Sequence, residues 1–437
     1  MNRPASSTSS AAPSASSPRT TRRRTTCALL AAVLLFGAAP VGAEAQSKPL
    51  VMWHAYRAKE RSALEKTVAL WNKGARGKHP PIKLLAVPYD AFADKITAAV
   101  PRGHGPDLFI FAHDRVGDWA KSKVVEPIEF WMSEKHADTF LFKAIDALCY
   151  GDSLYGLPMA FKSTILFYNK KLVPKPPKTT AELLALGAKL TDRKEGRYAL
   201  VYDNTKLYFH GTWLHGFGGT VFTDKGKLVL DSKAAADALA FARKIGGPQG
   251  IVPPESTSTL TTTLFNSGKA AMAISGPWML GEIKADIDAG VVPLPVVSKT
   301  GKGAGPFLGA EGVMMSTKCK RKASAFAAMR FLTGDKAALL RALEARQPVA
   351  NKSAWTNAKV KADVVLSAFH EQQKYAKVMP GTPEMRLVWS PYDMAIQKVI
   401  VSGAAPDKAL AEAAKEVRRF LEVNTAKAKG AGKGGKQ

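Results

Sequence analysis

Short apolar runs alternate with amphipathic stretches from residue 50 onward. Leu50–His54, Ile82–Val87 and Leu108–Phe111 are compact apolar runs of strand length. Between them, Glu60–Asn72 places Ala63, Leu64, Thr67, Val68 and Trp71 on one helical face, and Asp90–Val100 does the same with Phe92, Ile96 and Val100. Repeated strand–helix units predict an α/β fold, with a largely parallel sheet covered by helices on both faces.

A second region begins near Tyr155-Gly156-Leu157-Pro158. Ile165–Tyr168 reads as a strand, prolines 174, 176 and 177 mark a loop, and Thr179 or Thr180 caps a helix running to Leu190. Ser232–Lys244 and Thr259–Ser267 are helical, and Ala270–Ile274 is a strand. Gly276-Pro277 opens another helix, with proline where its missing N–H costs nothing. A Gly-rich loop from Gly301 to Gly309 precedes a strand at Gly312–Met315, and helices then dominate to Leu421.

The two ends stand apart. Residues 5–18 are rich in Ser, Ala and Pro; Arg19 and Arg22–Arg24 precede an apolar run from Ala28 to Gly37, and Ala43-Glu44-Ala45 has the A-x-A form of a cleavage site. Residues 1–45 are therefore expected to be a secretory signal peptide with a disordered N-terminal stretch, placing the mature protein in the periplasm. The Lys/Gly-rich segment 426–437 is expected to be a disordered tail. Cys149 and Cys319 remain in the mature chain and read as two separate thiols.

The formal net charge is +27. Five arginines and one glutamate fall within residues 1–45, which leaves +23 on the remainder. The lysines are scattered over many predicted helices and no nucleic-acid motif accompanies them, so the charge is assigned to a basic surface and no nucleic-acid partner is expected. H-E-x-x-H, G-x-S-x-G and Walker sequences do not occur, and the eight histidines lack metal-ligand spacing. No metal site, cofactor or catalytic residue is expected.

What recurs is an aromatic residue beside polar groups at the end of an element. Tyr56 and Arg57 follow Trp53, Phe111 precedes Asp114 and Arg115, Tyr208 follows Lys206, Trp278 follows Gly276-Pro277, and Trp389 precedes Tyr392. In open α/β sheets ligands are held beyond the carboxyl ends of strands. Phe111 offers an apolar face there, Asp114 accepts hydrogen bonds and Arg115 donates them, a combination suited to a sugar.

These segments carry a family resemblance. Gly105-Pro106-Asp107 through Ala112-His113-Asp114-Arg115, Tyr168-Asn169-Lys170 with Pro176-Pro177-Lys178-Thr179, Phe265 through Met272 with Gly276-Pro277-Trp278, Met379-Pro380 and Trp389 resemble bacterial extracellular solute-binding proteins of the maltose/maltodextrin-binding type. The resemblance implies a type II periplasmic-binding-protein-like fold, with two α/β lobes, a hinge and a ligand cleft between them. The lobes would comprise residues 46–160 with 311–360 and residues 161–306 with 365–425.

It also implies a monomeric substrate-binding component of an ABC sugar importer, which closes on an oligosaccharide and delivers it to permease subunits in the inner membrane. By position, Asp114 and Arg115 would bond hydroxyls, Tyr208, Trp278 and Trp389 would stack on rings, and Phe111 would replace a tryptophan platform. Lys162 and Lys206 stand where the relatives have acids, so a more positive cleft is expected, and Asp393 falls near an arginine of theirs. An acidic or phosphorylated sugar or other anionic solute is therefore an alternative ligand, a receptor-coupled sensor an alternative role, and an envelope carbohydrate-processing enzyme a further alternative.

Overall fold

The computed structural model describes residues 48–433 apart from Arg76, so the proposed signal peptide and residues 434–437 lie outside the described residues. The strands of its two main sheets, in chain order, are β1 (Leu50–His54), β2 (Ile82–Ala86), β3 (Leu108–Ala112), β4 (Gly156–Lys162), β5 (Ile165–Asn169), β6 (Tyr198–Val201), β7 (Ala270–Ser275), β8 (Ala289–Val292), β9 (Phe307–Met315) and β10 (Lys377–Val378). The longer helices are α1 (Ala58–Gly74), α2 (Tyr89–Ala99), α3 (Thr180–Leu190), α4 (Leu207–Gly216), α5 (Lys233–Gly246), α6 (Ser258–Asn266), α7 (Lys322–Thr333), α8 (Asp335–Ala345), α9 (Val364–Gln372), α10 (Trp389–Ile400) and α11 (Pro406–Lys433).

The first lobe is built on the sheet β10-β9-β3-β1-β2, with β4 also paired to β9. β1, β2 and β3 run parallel, as the early strand–helix units predict, but β9 lies antiparallel to both β3 and β4, so the sheet is mixed. The second lobe holds a separate sheet of order β8-β5-β7-β6, in which β7 and β8 flank β5 antiparallel and β6 pairs with β7 in parallel.

Helix signals in the sequence are realised locally. The Thr179 hydroxyl accepts the Glu182 N–H at 3.2 Å, capping α3, and Ser232 accepts from Ala235 at 3.3 Å, capping α5. On α5, Ala235, Ala238, Leu239, Ala242 and Ile245 are buried at helical spacing. Burying a side chain the size of Leu239 stabilises by about 1.5–3 kcal/mol. The first lobe's core gathers Leu50, Met52, Phe92, Phe109, Trp119 and Met329, while Leu166, Leu200, Trp213 and Met272 pack in the second.

Three elements differ from expectation. Strand β4 pairs with β9, so the segment from Gly156 still belongs to the first sheet. Strand β9 begins at Phe307 rather than Gly312, because pairing to β4 on one side and β3 on the other orders a glycine-containing stretch whose local strand signal is weak. Residues 426–433 continue α11, where alanine and lysine favour helix over an unstructured tail.

Several segments that join or bridge the two sheets lie side by side. Ser163 and Thr164 link β4 to β5, and the Ser163 hydroxyl donates to the Phe307 carbonyl at 3.1 Å. Phe307 and Leu308, at the start of β9, pair with Lys377 and Val378 of β10. The Met379 N–H extends this contact to the Leu308 carbonyl at 3.0 Å. These crossings bring the carboxyl end of β3 beside the second lobe.

Candidate functional site

Strand β3 ends in a turn, His113–Arg115, that carries three different tasks. His113 is buried; its Nδ1 accepts the Ala310 N–H at 3.0 Å and its Nε2 lies 2.7 Å from the Met379 carbonyl oxygen. That pattern requires the proton on Nε2. His113 therefore ties β3 to two of the crossing segments. Asp114 stands next, half-buried, with its Oδ2 3.4 Å from Arg115 Nε and its Oδ1 buried without a hydrogen-bond partner. Burial pushes its carboxyl above the usual carboxylate range, opposed chiefly by Arg115. A buried acceptor left open beside a fixed cation is suited to receive a ligand hydroxyl.

Behind this turn lies a polar network. The Tyr56 hydroxyl is 2.6 Å from Glu311 Oε2 and accepts from Gln347 Nε2 at 3.1 Å. Lys162 is bonded to Glu60 and stands 3.7 Å from Glu311, with its ammonium 5.3 Å from the centre of the Tyr56 ring. Arg341, fully buried, donates to Gln347 Oε1 at 3.1 Å. Burial would depress the Lys162 ammonium, but Glu311 and Glu60 outweigh it and hold the group above the usual lysine range. Glu311 is itself raised, by burial first. Two cations and two carboxylates thus occupy one cluster. A register shift between Glu311 and Gly312 in the β9–β4 pairing accompanies the Glu311 position.

The second lobe supplies aromatic surface. Tyr208, near the start of α4, lies 6.3 Å from Trp278 and 6.5 Å from Phe307 between ring centres, and Phe307 lies 5.8 Å from Trp389. Tyr208, Trp278 and Trp389 are each half-buried. The ring of Trp278 folds back over Gly276, where an added Cβ would stand 2.1 Å from it, so only glycine admits this placement. Burial raises the Tyr208 hydroxyl above the usual phenol range, and Asp114, from the opposite lobe, adds to the shift. Lys206 is exposed and pairs with Asp393 Oδ2 at 3.2 Å, while Asp393 Oδ1 accepts the Leu207 N–H at 2.7 Å.

The lobes touch at the rim. Arg57 of α1's N-terminal junction reaches Glu282 at 3.2 Å, and Gly281 lies so close to Ala58 that an added Cβ would stand 3.0 Å from the Ala58 Cβ. Arg386 reaches Asp118 at 3.1 Å, and both border a cavity of about 220 Å³ shared with Arg115 and Trp119. A larger cavity, about 390 Å³, lies away from this region among His136, Arg330, Asp335 and Asn351.

The structure thus gathers Tyr208, Trp278 and Trp389 through Phe307 and sets Asp114 and Arg115 opposite them. Tyr56 is instead locked in the buried network, Phe111 is packed in the core, and Lys206 turns to Asp393. The expected excess of positive charge is not what the packing gives, because both replacement lysines face carboxylates. Glu60, Glu311, Gln347 and Phe307 were not singled out from sequence. Glu311 did leave a signal, as the one charged residue between Gly305 and Ser316.

The profile of the family described as bacterial extracellular solute-binding protein matches residues 57–339. The chain belongs to this family. It is 28% identical over 367 residues to the maltotriose-binding protein of Pyrococcus abyssi, covering 82% of this chain and 79% of that one. It is 27% identical over 396 residues to the galactooligosaccharide-binding protein of Bacillus subtilis, covering 87% and 91%. The Thermus thermophilus maltotriose binding protein, bound with maltotriose, superposes with a TM-score of 0.77 at 27% identity, covering 85% of this chain and all of that one. The two-lobed fold is accordingly that of type II periplasmic binding proteins. Among the described residues no helix is long and apolar enough to cross a membrane.

Proposed function

We propose that this protein is the substrate-binding component of an ABC importer for a neutral oligosaccharide of the maltodextrin kind. The observation that carries the reading is the aromatic group of Tyr208, Trp278 and Trp389 set opposite the open carboxylate oxygen of Asp114. Aromatic faces cover the apolar faces of pyranose rings, and carboxylate and guanidinium groups bond the hydroxyls. The relatives named for maltotriose and galacto-oligosaccharides point to the same ligand class.

Closure follows from the two-lobed arrangement. Asp114 and Arg115 belong to one lobe and the aromatic group to the other, so a sugar meets both sets of contacts only in the closed form and shifts the population toward it. The closed protein, a monomer exported to the periplasm by its N-terminal signal peptide, would then dock on the permease. It acts by binding, without chemical turnover and without a cofactor.

Charge balance favours a neutral ligand over an anionic one. Lys162, Lys206, Arg57 and Arg115 each have a carboxylate within 4 Å. Calorimetric titration with maltose, maltotriose, maltotetraose, a galacto-oligosaccharide and glucose 6-phosphate, at low and high salt, tests this. A neutral oligosaccharide should bind with an affinity that salt barely changes. Binding restricted to the phosphorylated sugar, weakened by salt, would refute the neutral assignment.

A further inference from the structure

Phe111, expected from sequence to face the ligand, has no open face to offer. It is 4% exposed. Phe92 stacks on it with ring centres 4.9 Å apart at 13°, Tyr89 with centres 5.0 Å apart at 21°, and Trp119 approaches at 5.5 Å and 54°. Tyr89 and Phe92 lie three residues apart on α2 and so share a face of that helix. Phe92 is fully buried and Tyr89 is 56% exposed, so the aromatic column runs outward from the core and Tyr89 is its outermost ring.

Tyr89 opens α2 just beyond the carboxyl end of β2 and stacks on Phe111, which stands three residues before Asp114 at the carboxyl end of β3, so it lies on the same edge of the first sheet as Asp114 and Arg115. Its hydroxyl is held far above the usual phenol range, by burial first and then by Asp114, Tyr208 and Glu311, with Arg115 opposing. Asp114, Arg115 and Glu311 belong to the first lobe, and Tyr208 to the second. The Tyr89 ring stacks on Phe111 and is otherwise largely open. Its underside is fixed by Phe111, which limits its motion and leaves little side-chain entropy to lose on stacking.

We propose that Tyr89, stacked on Phe111, is the first lobe's platform for a pyranose ring of the ligand, facing the aromatic group around Tyr208. The proposal rests on the oligosaccharide reading above. Phe111 then acts from behind, as the support that sets the height and tilt of the Tyr89 ring.

The test is calorimetric titration of maltotriose and maltotetraose into the wild-type protein and the variants Tyr89→Leu, Tyr89→Ala and Tyr89→Phe. Tyr89→Leu keeps an apolar cover on Phe111 but removes the flat face, and stands in if Tyr89→Ala does not fold. Losing one stacked face should weaken binding about tenfold in Tyr89→Leu and Tyr89→Ala, while Tyr89→Phe stays within about threefold of wild type. Wild-type affinity in Tyr89→Leu overturns the platform and leaves the oligosaccharide reading standing. Equal losses in Tyr89→Phe and Tyr89→Leu overturn stacking in favour of the hydroxyl. A wild-type protein that takes up neither sugar overturns both readings.

Discussion

The Tyr56 hydroxyl lies 2.6 Å from a carboxylate oxygen of Glu311, a residue 255 positions later in the chain. This contact joins the loop before α1 to the middle of β9 and makes Glu311 part of the network that also holds Lys162. Removing the Lys162 ammonium leaves Glu60 and Glu311 facing each other with one fewer cation. Lys162→Met is expected to lower the unfolding free energy by about 2–4 kcal/mol, since stranding a buried charge costs more than the pair contributes. Urea denaturation at neutral pH measures this, and unchanged stability would show that the cluster is not a structural unit.

His210 should make stability fall in acid. It is 1% exposed, neither ring nitrogen has a hydrogen-bond partner, and burial lowers its pKa to about 3. The unfolded chain binds a proton near pH 6.5 while the folded chain does not, so this contribution is present above pH 6.5 and lost as pH falls below it. Replacing it by phenylalanine removes that term. Between pH 7 and pH 5 the stability of His210→Phe should therefore drop by about 2 kcal/mol less than that of wild type. Denaturant melts at the two pH values give the difference, and parallel losses would rule His210 out as its source.

Trp389→Ala should weaken oligosaccharide binding by about 1–3 kcal/mol, the range for an aromatic side chain that loses buried contact. Trp389 is half-buried and packs on Phe307, so the loss also loosens the neighbouring ring. Titration calorimetry reads the affinity; a melting temperature measured without sugar separates a binding defect from a folding one. Unaltered affinity would place the sugar elsewhere in the cleft.

Closure can be probed at Gly281. A side chain there meets Ala58 of the other lobe, so Gly281→Leu should hold the lobes apart. An overpacking cost of about 1–3 kcal/mol falls on the closed form, which predicts a loss of affinity of about tenfold or more. Small-angle scattering in the presence of sugar should give a larger radius of gyration than wild type. A variant that closes normally would mean that the rim contact relaxes without cost.

Much of the local structure is legible in the sequence. The apolar runs at Leu50, Ile82 and Leu108, the helical faces of α1 and α5, and the caps at Thr179 and Ser232 follow from periodicity and side-chain chemistry within a few residues. The aromatic residues at Tyr208, Trp278 and Trp389 were also legible as a class, because each stands at the end of an element beside polar groups. Tertiary structure decided what those residues face. Phe111 is covered by Tyr89 and Phe92, and Lys162 is neutralised by Glu60 and Glu311, partners from distant parts of the chain. Periodicity reports which side of an element is buried; it carries no record of which distant carboxylate or ring will lie against it. That is set when the two sheets and the crossing segments pack, and with it the charge and shape of the cleft.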